Sequence, residues 1–404
     1  MSNKAKVAVL VSSLAILLVM SLGGLGVHAA NNTSDGAYRQ MQVYSEVLSR
    51  VRSEYVEDPN IPLVTDGALH GLLEALDANS SYLSATEYKE YKAHSTQSSA
   101  TIGAAISKRF GYAAVIAVLP GGPAEKAGIQ NSDILEAIEG KSTREMSLAE
   151  VNSLLAGQPG SNITVAVVRA RRAEPQKVVV TRDVVAIPAV SEKFLEDGVG
   201  YIKVEVFNRS KSAEIANHIK SLQHAGAKKL ILDLRNSADG EASEAVATAN
   251  LFLDHGTITY LQGQKYAREA FTADPQKAIT KLPVAILVNH NTAGPAEIVA
   301  AALLENARAD VVGDKTFGVG SVQKTFEMRD GSALILSVAK YYSPTGKAIQ
   351  DTAVTPNVVV ADEDDSAAAA EDENGNSSQA EPKKSASPQD EQLLRALEVL
   401  KKRA

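Results

Sequence analysis

Between residues 194 and 360 the sequence alternates short apolar runs with amphipathic stretches, and this alternation constrains the fold more than any other feature. Residues 201–207, 229–234, 284–288 and 333–339 are typical of strands, whereas 213–222, 243–253 and 296–307 are typical of helices. Strand-like and helix-like segments that alternate along a chain predict helices layered against a sheet. We therefore expect an α/β core over residues 186–360.

The region before this core is expected to be a helical leader over residues 30–97. Its apolar residues recur at helical spacing in two stripes. The first stripe is Val43, Val47 and Val51, and the second is Leu69, Leu72, Leu73 and Leu76. Stripes of that width must be buried somewhere, which favours self-association into a homo-oligomer.

Residues 98–185 change to short strands separated by glycine and proline turns, with one helical stretch at 147–155. Three segments stand out: Thr101-Ile102-Gly103-Ala104, a Gly-Pro-Ala-Glu-Lys-Ala-Gly-Ile run at 122–129 and an Asp-Ile-Leu-Glu-Ala-Ile-Glu-Gly-Lys run at 133–141. In sequence and spacing they resemble a PDZ domain in the permuted order found in bacterial proteins. The alternative is a β-domain in which Gly103 merely makes a turn.

The resemblance implies a peptide-binding role for the loop of Ile102, Gly103 and Ala104. A PDZ domain binds an extended peptide by adding it as a strand, and backbone N–H groups of such a loop hold the terminal carboxylate. The implied partners are protein C-termini with an apolar last residue, or unfolded proteins.

The N-terminal segment, residues 1–29, has the pattern of an export signal. Lys4 and Lys6 precede an apolar run from Val7 to about Val27, and small residues end at Ala29, where a signal peptidase cleaves. The run is also long enough to remain as a single membrane anchor. Both readings predict an exported protein, either periplasmic or anchored in the inner membrane and facing the periplasm.

The C-terminal part is expected to hold a solvated linker and a short helix. Residues 361–389 are acidic and of low complexity, which is typical of disordered segments. Residues 390–404 return to an amphipathic pattern that ends in Lys401, Lys402 and Arg403, where positive charge favours a helix C-terminus.

Composition excludes several classes of function. The net charge is −7 with no basic run interleaved with aromatics, so nucleic acid is not expected as a partner. The chain has no cysteine, which excludes disulfides and thiol chemistry. Its 7 histidines lack the spacing of metal ligands, so we expect neither a metal nor another cofactor.

Six segments of the core carry a closer resemblance to a known family. They are Gly-Tyr-Ile-Lys at 200–203, Leu-Ile-Leu-Asp-Leu-Arg-Asn at 230–236, Glu-Ile-Val-Ala-Ala-Ala-Leu at 297–303, Val-Gly-Asp-Lys-Thr-Phe-Gly at 312–318, Gly-Ser-Val-Gln at 320–323 and Tyr-Tyr-Ser-Pro-Thr-Gly at 341–346. In this order they resemble the carboxyl-terminal processing proteases, which are S41-type serine peptidases with a PDZ domain. The resemblance covers residues 38–360 and implies an α+β multidomain protein whose core has the ClpP/crotonase-like layering.

The resemblance implies catalysis by a serine and a lysine, in which the lysine takes the proton of the serine hydroxyl and a glutamine positions the lysine. Aligned on Glu297, the serine position is Gly294 and the lysine position is Val319, at the family's usual separation. Of the three residues only Gln323 remains. Glycine has no hydroxyl and valine no titratable group, so the family mechanism cannot run at these positions.

The expected oxyanion hole is altered as well. One family donor is the N–H that follows the serine, and here that residue is Pro295, which has no N–H. The other donor lies in a loop where this chain has Asp239 before Gly240, which adds negative charge near the place of a developing oxyanion.

A nucleophile or base at another position remains an alternative. Thr292, Ser321 and Lys315 lie near the substituted positions, but a shift along the chain points a side chain away from its target. His290 and Asp314 flank the same region, with no serine placed beside them by the sequence.

Two functions therefore stay open. The first is a catalytically inactive homologue that binds protein C-termini or unfolded exported proteins in the cell envelope, with a catalytic paralogue as a further partner. The second is an active serine-type endopeptidase that processes or degrades exported proteins from the C-terminus. The residues at 294, 295 and 319 favour the first.

Overall fold

The computed structural model describes residues 34–97, 99–109, 111–169, 172–361 and 390–402. The predicted export signal and nearly all of the predicted acidic linker lie outside the described residues. The described residues divide into two compact units, one that ends at residue 68 and one that begins at residue 69. Within the described ranges no helix is long and apolar enough to cross a membrane.

The leader contributes two helices, α1 (Ser34–Glu54) and α2 (Ile61–Glu74). Helix α2 begins after Asn60, whose side-chain oxygen accepts a hydrogen bond from the backbone N–H of Leu63 at 3.2 Å. Pro62 lies in the first turn, where no N–H is needed. Much of the predicted apolar surface is exposed: Val43, Val47, Leu72 and Leu76 each expose at least half of their surface.

The rest of the predicted helical leader is only partly helical. Strand β1 (Ser81–Leu83) pairs antiparallel with a strand of the core before helix α3 (Ala85–Gln97) begins. A capping box starts α3, because the Ser84 N–H donates to Glu87 Oε2 at 2.8 Å and the Glu87 N–H donates to Ser84 Oγ at 3.4 Å. Residues 81–97 thus belong structurally with the core.

The predicted β-domain is an antiparallel sheet closed by short helices. Its elements are β2 (Ala104–Arg109), β3 (Tyr112–Val118), α4 (Pro123–Lys126), β4 (Ile134–Ile138), β5 (Lys141–Ser142), α5 (Leu148–Leu155), β6 (Asn162–Arg169) and β7 (Arg172–Thr181). The strand order is β2-β3-β4-β6-β7, so β2 lies at an edge of the sheet. An exposed edge can accept another strand.

The core contains a second sheet of six strands. Its elements are β8 (Ser191–Leu195), β9 (Val199–Lys203), α6 (Lys211–His224), β10 (Lys229–Asp233), α7 (Ala242–Asn250), β13 (Val284–Val288), α8 (Pro295–Glu305), β14 (Ala309–Gly313) and β17 (Val358–Val359), with β11 (Thr257–Gln262) and β12 (Glu269–Thr272) inserted between α7 and β13. The order is β17-β14-β13-β10-β9-β8, parallel except for β8. Beside it lies a third sheet of order β1-β16-β11-β12, in which β15 (Ser321–Glu327) pairs with β16 (Ala333–Tyr342).

Alternate residues of the six-stranded sheet face two different helical layers. Leu230 and Leu232 pack in the cluster that includes α6, α7 and α8, whereas Ile231 packs with Ala396 and Leu400 of α9 (Glu391–Lys402). This alternation is what a strand covered on both faces requires. The α+β class and the layered core predicted from the sequence are confirmed.

An ion-pair network holds the start of α9 against the sheet. The Arg235 guanidinium contacts Asp233 at 2.6 Å and Asp390 at 2.8 Å, and Asp233 is almost completely buried. Although burial acts to raise it, the charges of Lys203 and Arg235 hold the pKa of Asp233 below its usual value. Arg235 thereby joins the end of β10 to the C-terminal helix.

Two element boundaries differ from the sequence prediction. The strand predicted over 201–207 ends at Lys203. Phe207 lies beyond the sheet and pairs with Gly240 in an isolated β-bridge. The helix predicted over 243–253 ends at Asn250, whose side-chain N–H₂ donates to the backbone oxygen of Leu253 at 2.9 Å.

We predict that the exposed stripe of α1 mediates self-association. Val43→Glu with Val47→Glu should convert a dimer or larger oligomer into a monomer, because charge cannot be buried in an apolar interface at low cost. Sedimentation equilibrium of the protein at micromolar concentration measures this. Gln42→Glu with Ser49→Glu, also at exposed positions of α1, is the matched control and should leave the oligomer intact. A monomeric wild-type protein would contradict the prediction.

Candidate functional site

Three loops meet at the carboxyl ends of the parallel strands. Residues 234–240 follow β10, 289–294 follow β13 and 314–320 follow β14, and these strands are neighbours in the sheet. Parallel neighbours bring the loops after them to the same edge of the sheet. The substituted positions predicted from the sequence lie on these loops.

Gly294 lies at the sharp turn between β13 and α8. Its backbone has φ +60° and ψ −121°, a conformation that glycine adopts with far less strain than other residues. A Cβ atom added there would meet only the carbonyl oxygen of Ala238, at 4.0 Å, so the space above Gly294 is open. Pro295 is the first residue of α8 and offers no N–H to that space.

The carboxylate of Glu297 joins the loop of Gly294 to the loop of Val319. Its Oε2 accepts the N–H of Gly294 at 2.9 Å and the N–H of Val319 at 2.8 Å. Its Oε1 accepts the N–H of Gly318 at 2.8 Å and the hydroxyl of Thr316. The structure therefore brings positions 294 and 319 together through a single side chain.

Glu297 is fully buried, and this changes its acidity. Removal from water raises the pKa of Glu297 to about 7, against the opposing effect of the hydrogen bonds it accepts from Thr316, Val319, Gly294 and Gly318. The sequence reasoning used Glu297 only to set the alignment. A Glu three residues after a helix N-cap is a signal for the bond to the Gly294 N–H, whereas no local signal indicates the bonds to Thr316, Gly318 and Val319.

Val319 and Gln323 are not equivalent in exposure. Val319 is half-buried, whereas Gln323 is an exposed residue of β15. The Gln323 amide donates to Ser321 Oγ at 2.7 Å and more weakly to Ser337 Oγ at 3.4 Å. The retained glutamine thus binds one hydroxyl of its own strand and one of the neighbouring strand β16.

Asp239 and Gly240 form a closed local structure. The N–H of Gly240 donates to the carboxylate of Asp239 at 2.7 Å, and the carbonyl of Asp239 accepts from the N–H of Phe207 at 2.9 Å. Gly240 has φ +129°, and a Cβ there would lie 2.4 Å from the Phe207 backbone. One N–H of the loop that is expected to supply an oxyanion donor is therefore engaged by the Asp239 side chain.

The two alternative nucleophiles near the site, Thr292 and Ser321, are engaged in structural bonds. Thr292 is fully buried, and its hydroxyl donates to the Leu234 carbonyl at 2.9 Å. Ser321 Oγ accepts from the Asn79 amide at 3.1 Å as well as from Gln323. Lys315 is exposed to solvent, and its backbone N–H donates to Asp314.

The structure pairs His290 with a residue that the sequence reasoning missed. Its Nε2 lies 3.0 Å from the hydroxyl of Ser132, an exposed residue in the turn before β4. Ser132 has φ +66°, which is unusual for a residue with a side chain. No sequence signal connects two residues 158 positions apart.

An amide cluster was also missed. The Asn236 side-chain oxygen accepts from Asn289 at 2.9 Å and from Asn291 at 3.2 Å, and the Asn236 N–H donates to Asn289 Oδ1 at 3.0 Å. These bonds hold the loop after β10 to the loop after β13.

Within the described residues there is no group of three or more acidic or histidine side chains that could hold a metal ion.

The predicted peptide-binding loop precedes the edge strand β2. Ile102 is buried, Gly103 has φ +72°, and Ala104 is the first residue of β2. The Gly103 carbonyl accepts from Leu119, and its N–H donates to the hydroxyl of Thr101 at 2.8 Å. The loop is therefore held in shape from both sides.

A cavity of about 300 Å³ connects this loop to the site of the core. Gly103 and Ala104 line it on one side, and Ala238 and Asp239 line it on the other. A chain bound along β2 would thus run next to the loop that carries Asp239.

Comparison with known families matches two regions of the chain. The model for peptidase family S41 matches residues 198–360, and a PDZ domain model matches residues 115–169. The core and the β-domain therefore have the relationships that their motifs indicated.

Individual relatives match over most of the chain. The chain is 30% identical over 353 residues to the carboxy-terminal processing protease CtpA of Bacillus subtilis, covering 87% of this chain and 74% of the relative. It is 38% identical over 249 residues to a carboxyl-terminal-processing protease of Picosynechococcus, covering 61% of this chain and 60% of the relative. The solved structure of a photosystem II D1 C-terminal processing protease matches with a TM-score of 0.65 and 25% identity, covering 80% of this chain and 93% of that one.

We predict a pH dependence of stability from Glu297. Its folded pKa of about 7 lies above the unfolded value, so the folded state binds the proton more tightly. The stability advantage of protonation is complete below about pH 4.5 and is lost as the pH rises through about 7. The free energy of unfolding of wild type minus that of Glu297→Gln should therefore fall over this range.

Urea unfolding at half-unit steps of pH measures this difference. Glu145→Gln, at an exposed position, controls for the loss of one carboxyl group. A difference between wild type and Glu297→Gln that rises with pH would show that the hydrogen bonds outweigh burial and would refute the prediction.

Proposed function

Because the chain belongs to the carboxyl-terminal processing protease family of S41 peptidases, we propose that it is a member that binds protein C-termini without cleaving them. The observation that carries this proposal is the bridge at Glu297. It holds the backbone of positions 294 and 319 together, and these positions carry Gly and Val. A family nucleophile and its base would have to lie there, within hydrogen-bond reach of each other.

The surroundings of this bridge support the same proposal. The Gly240 N–H is bound by Asp239, and Pro295 has no N–H, so neither position offers a free donor to an oxyanion. The Thr292 hydroxyl is buried under the Leu234 carbonyl and cannot reach the open space above Gly294. Such a site favours binding over acyl transfer.

The binding role rests on the PDZ domain. The edge strand β2 offers the backbone groups that strand addition requires, and the loop of Ile102, Gly103 and Ala104 lies at its start, where a terminal carboxylate would bind. The Gly103 N–H is held by the Thr101 hydroxyl, so the N–H groups of Ile102 and Ala104 are the proposed carboxylate donors. We propose free C-termini and unfolded exported proteins as ligands, a homo-oligomer as the working form and a catalytic paralogue as a further partner. The N-terminal segment supports an exported location in the cell envelope.

Peptidase activity is the competing function, and one observation favours it. The Ser132 hydroxyl is exposed and lies 3.0 Å from His290 Nε2, which is the distance of a nucleophile from its base. A fluorophosphonate probe separates the two functions. Our proposal expects no labelling of the wild-type protein, and adduct mapping to Ser132 would identify this pair as an active nucleophile and overturn the proposal.

We predict carboxylate-dependent peptide binding. Isothermal titration with Ala-Ala-Ala-Ala-Val should show binding that disappears when the peptide is amidated, because loop N–H groups recognise the terminal carboxylate. Equal affinity for both peptides would contradict the prediction.

A pair of glycine variants locates the binding. Gly103→Ala should weaken binding, because its Cβ would lie 3.2 Å from side-chain atoms of both Pro123 and Val185. Gly121→Ala is the matched control: its φ of +73° nearly equals that of Gly103, but its Cβ would meet nothing within 4 Å. Both glycines have a positive φ, so alanine strains the backbone at each position. Only Gly103→Ala also crowds the peptide-binding loop, and only this variant should lose affinity.

We also predict that restoring the two catalytic side chains will give only a feeble protease. In Gly294→Ser with Val319→Lys the serine has room, but Pro295 and Asp239 still leave the oxyanion without donors. Loss of one such donor typically costs about 10²–10³ in rate. Adding Pro295→Ala and Asp239→Gly should therefore raise cleavage of an unfolded substrate by at least about a hundredfold. If wild type already cleaves as fast as the quadruple variant, the chemistry lies elsewhere.

A further inference from the structure

The cavity between the PDZ loop and the core has an uneven charge. Among the described residues that line it, the charged side chains are Glu205 and Asp239, and none is Lys, Arg or His. The remaining lining is apolar or uncharged, with Ala117, Leu119 and Val185 among its apolar members. The cavity therefore carries acidic groups in an otherwise largely apolar wall.

Two acceptor side chains of this cavity, Asn208 and Glu205, lack donors. Asn208 lines it, and its Oδ1 is buried with no hydrogen-bond partner among the described residues. No hydrogen bond or ion pair joins the Glu205 carboxylate to another described side chain. A buried acceptor without a donor costs free energy unless a ligand supplies one.

Burial leaves the charge of Glu205 poorly compensated. It raises the pKa of Glu205, and the charges of Asp233 and Glu125 add to this effect. Lys203 opposes it, but its ammonium group is bound by Asp233 and the Arg235 carbonyl, and it does not line the cavity. A cation that enters the cavity would supply the missing countercharge.

The geometry of β2 decides which ligand residue reaches the cavity. Ala104 and Ile106 pack on the apolar core of the PDZ domain. Ala105 is not part of that core, and it lines the cavity with its strand neighbour Ala117, while Ala104 borders the cavity at the end next to Gly103. Side chains of a peptide added along β2 must alternate in the same way. If the last residue faces the apolar core, the residue before it faces the cavity.

We propose that the protein selects C-termini with Lys or Arg as the next-to-last residue, followed by an apolar last residue. The inference rests on the proposed peptide-binding function and adds its specificity. Glu205 and Asp239 bind the cationic side chain, and Asn208 Oδ1 accepts one of its N–H groups. The N–H groups of Ile102 and Ala104, on either side of Gly103, hold the terminal carboxylate. Asp239, which occupies the N–H of Gly240, thereby serves recognition.

The test compares peptides that differ in a single charge. Ala-Ala-Ala-Ala-Arg-Val should bind at least about tenfold tighter than the same peptide with citrulline in place of arginine, since hydrogen bonds to charged groups are the stronger ones. Citrulline keeps the size and planarity of arginine but is neutral. A glutamate peptide should bind weakest, and amidation should abolish binding of all three.

Variants of the full chain locate the effect. Asp239→Asn and Glu205→Gln should each reduce the advantage of arginine over citrulline and leave the citrulline affinity within about twofold. Glu241→Gln is the matched control, because Glu241 is an exposed acid two residues from Asp239 that does not line the cavity. It should leave the arginine advantage unchanged.

The outcomes separate this inference from the function on which it rests. If arginine and citrulline peptides bind equally and amidation abolishes both, the C-terminal binding stands and the selectivity is wrong. If arginine is preferred but Asp239→Asn and Glu205→Gln do not change the preference, the cation binds elsewhere and the inference is wrong. If no peptide binds, or amidation has no effect, the proposed function itself fails.

Discussion

The buried carboxylate of Glu297 is the interaction on which the site depends. It is fixed by backbone N–H groups of Gly294, Gly318 and Val319, and these donors are present whatever side chains those positions carry. The shape of the site is therefore independent of the groups that perform chemistry in relatives. A scaffold built in this way can lose its nucleophile and base and keep its loops in place.

The parallel sheet explains why the remaining features gather around that carboxylate. Its strands end at one edge, so the loops after β10, β13 and β14 are held side by side, and the amide cluster at Asn236, Asn289 and Asn291 ties two of them together. The PDZ domain contributes its loop to a cavity at the same edge. The proposed binding groups and the positions of Gly294, Val319 and Asp239 thus share one surface of the molecule.

The layered core could be predicted from the sequence because its strands and helices differ in period, which is a local property. The strand Ser81–Leu83 could not, since three residues show no periodicity and stand between helices. The pairing of Ser132 with His290 was equally hidden, because it joins residues 158 positions apart without a motif. The prediction for Gly294, Val319 and Asp239 came from the resemblance to the family's motifs, whereas the contacts around these residues are made only in the folded chain.

The attachment of α9 has a consequence for the order of folding. During synthesis a domain folds as its chain emerges, but here Leu400 covers the sheet face and Asp390 pairs with Arg235, next to Asn236 of the site. Until residues 390–402 have been made, that face of the sheet stays uncovered and Arg235 lacks one of its two carboxylate partners. A chain truncated before this point would have an unfinished site around Asn236 and an apolar sheet face open to chaperones and proteases.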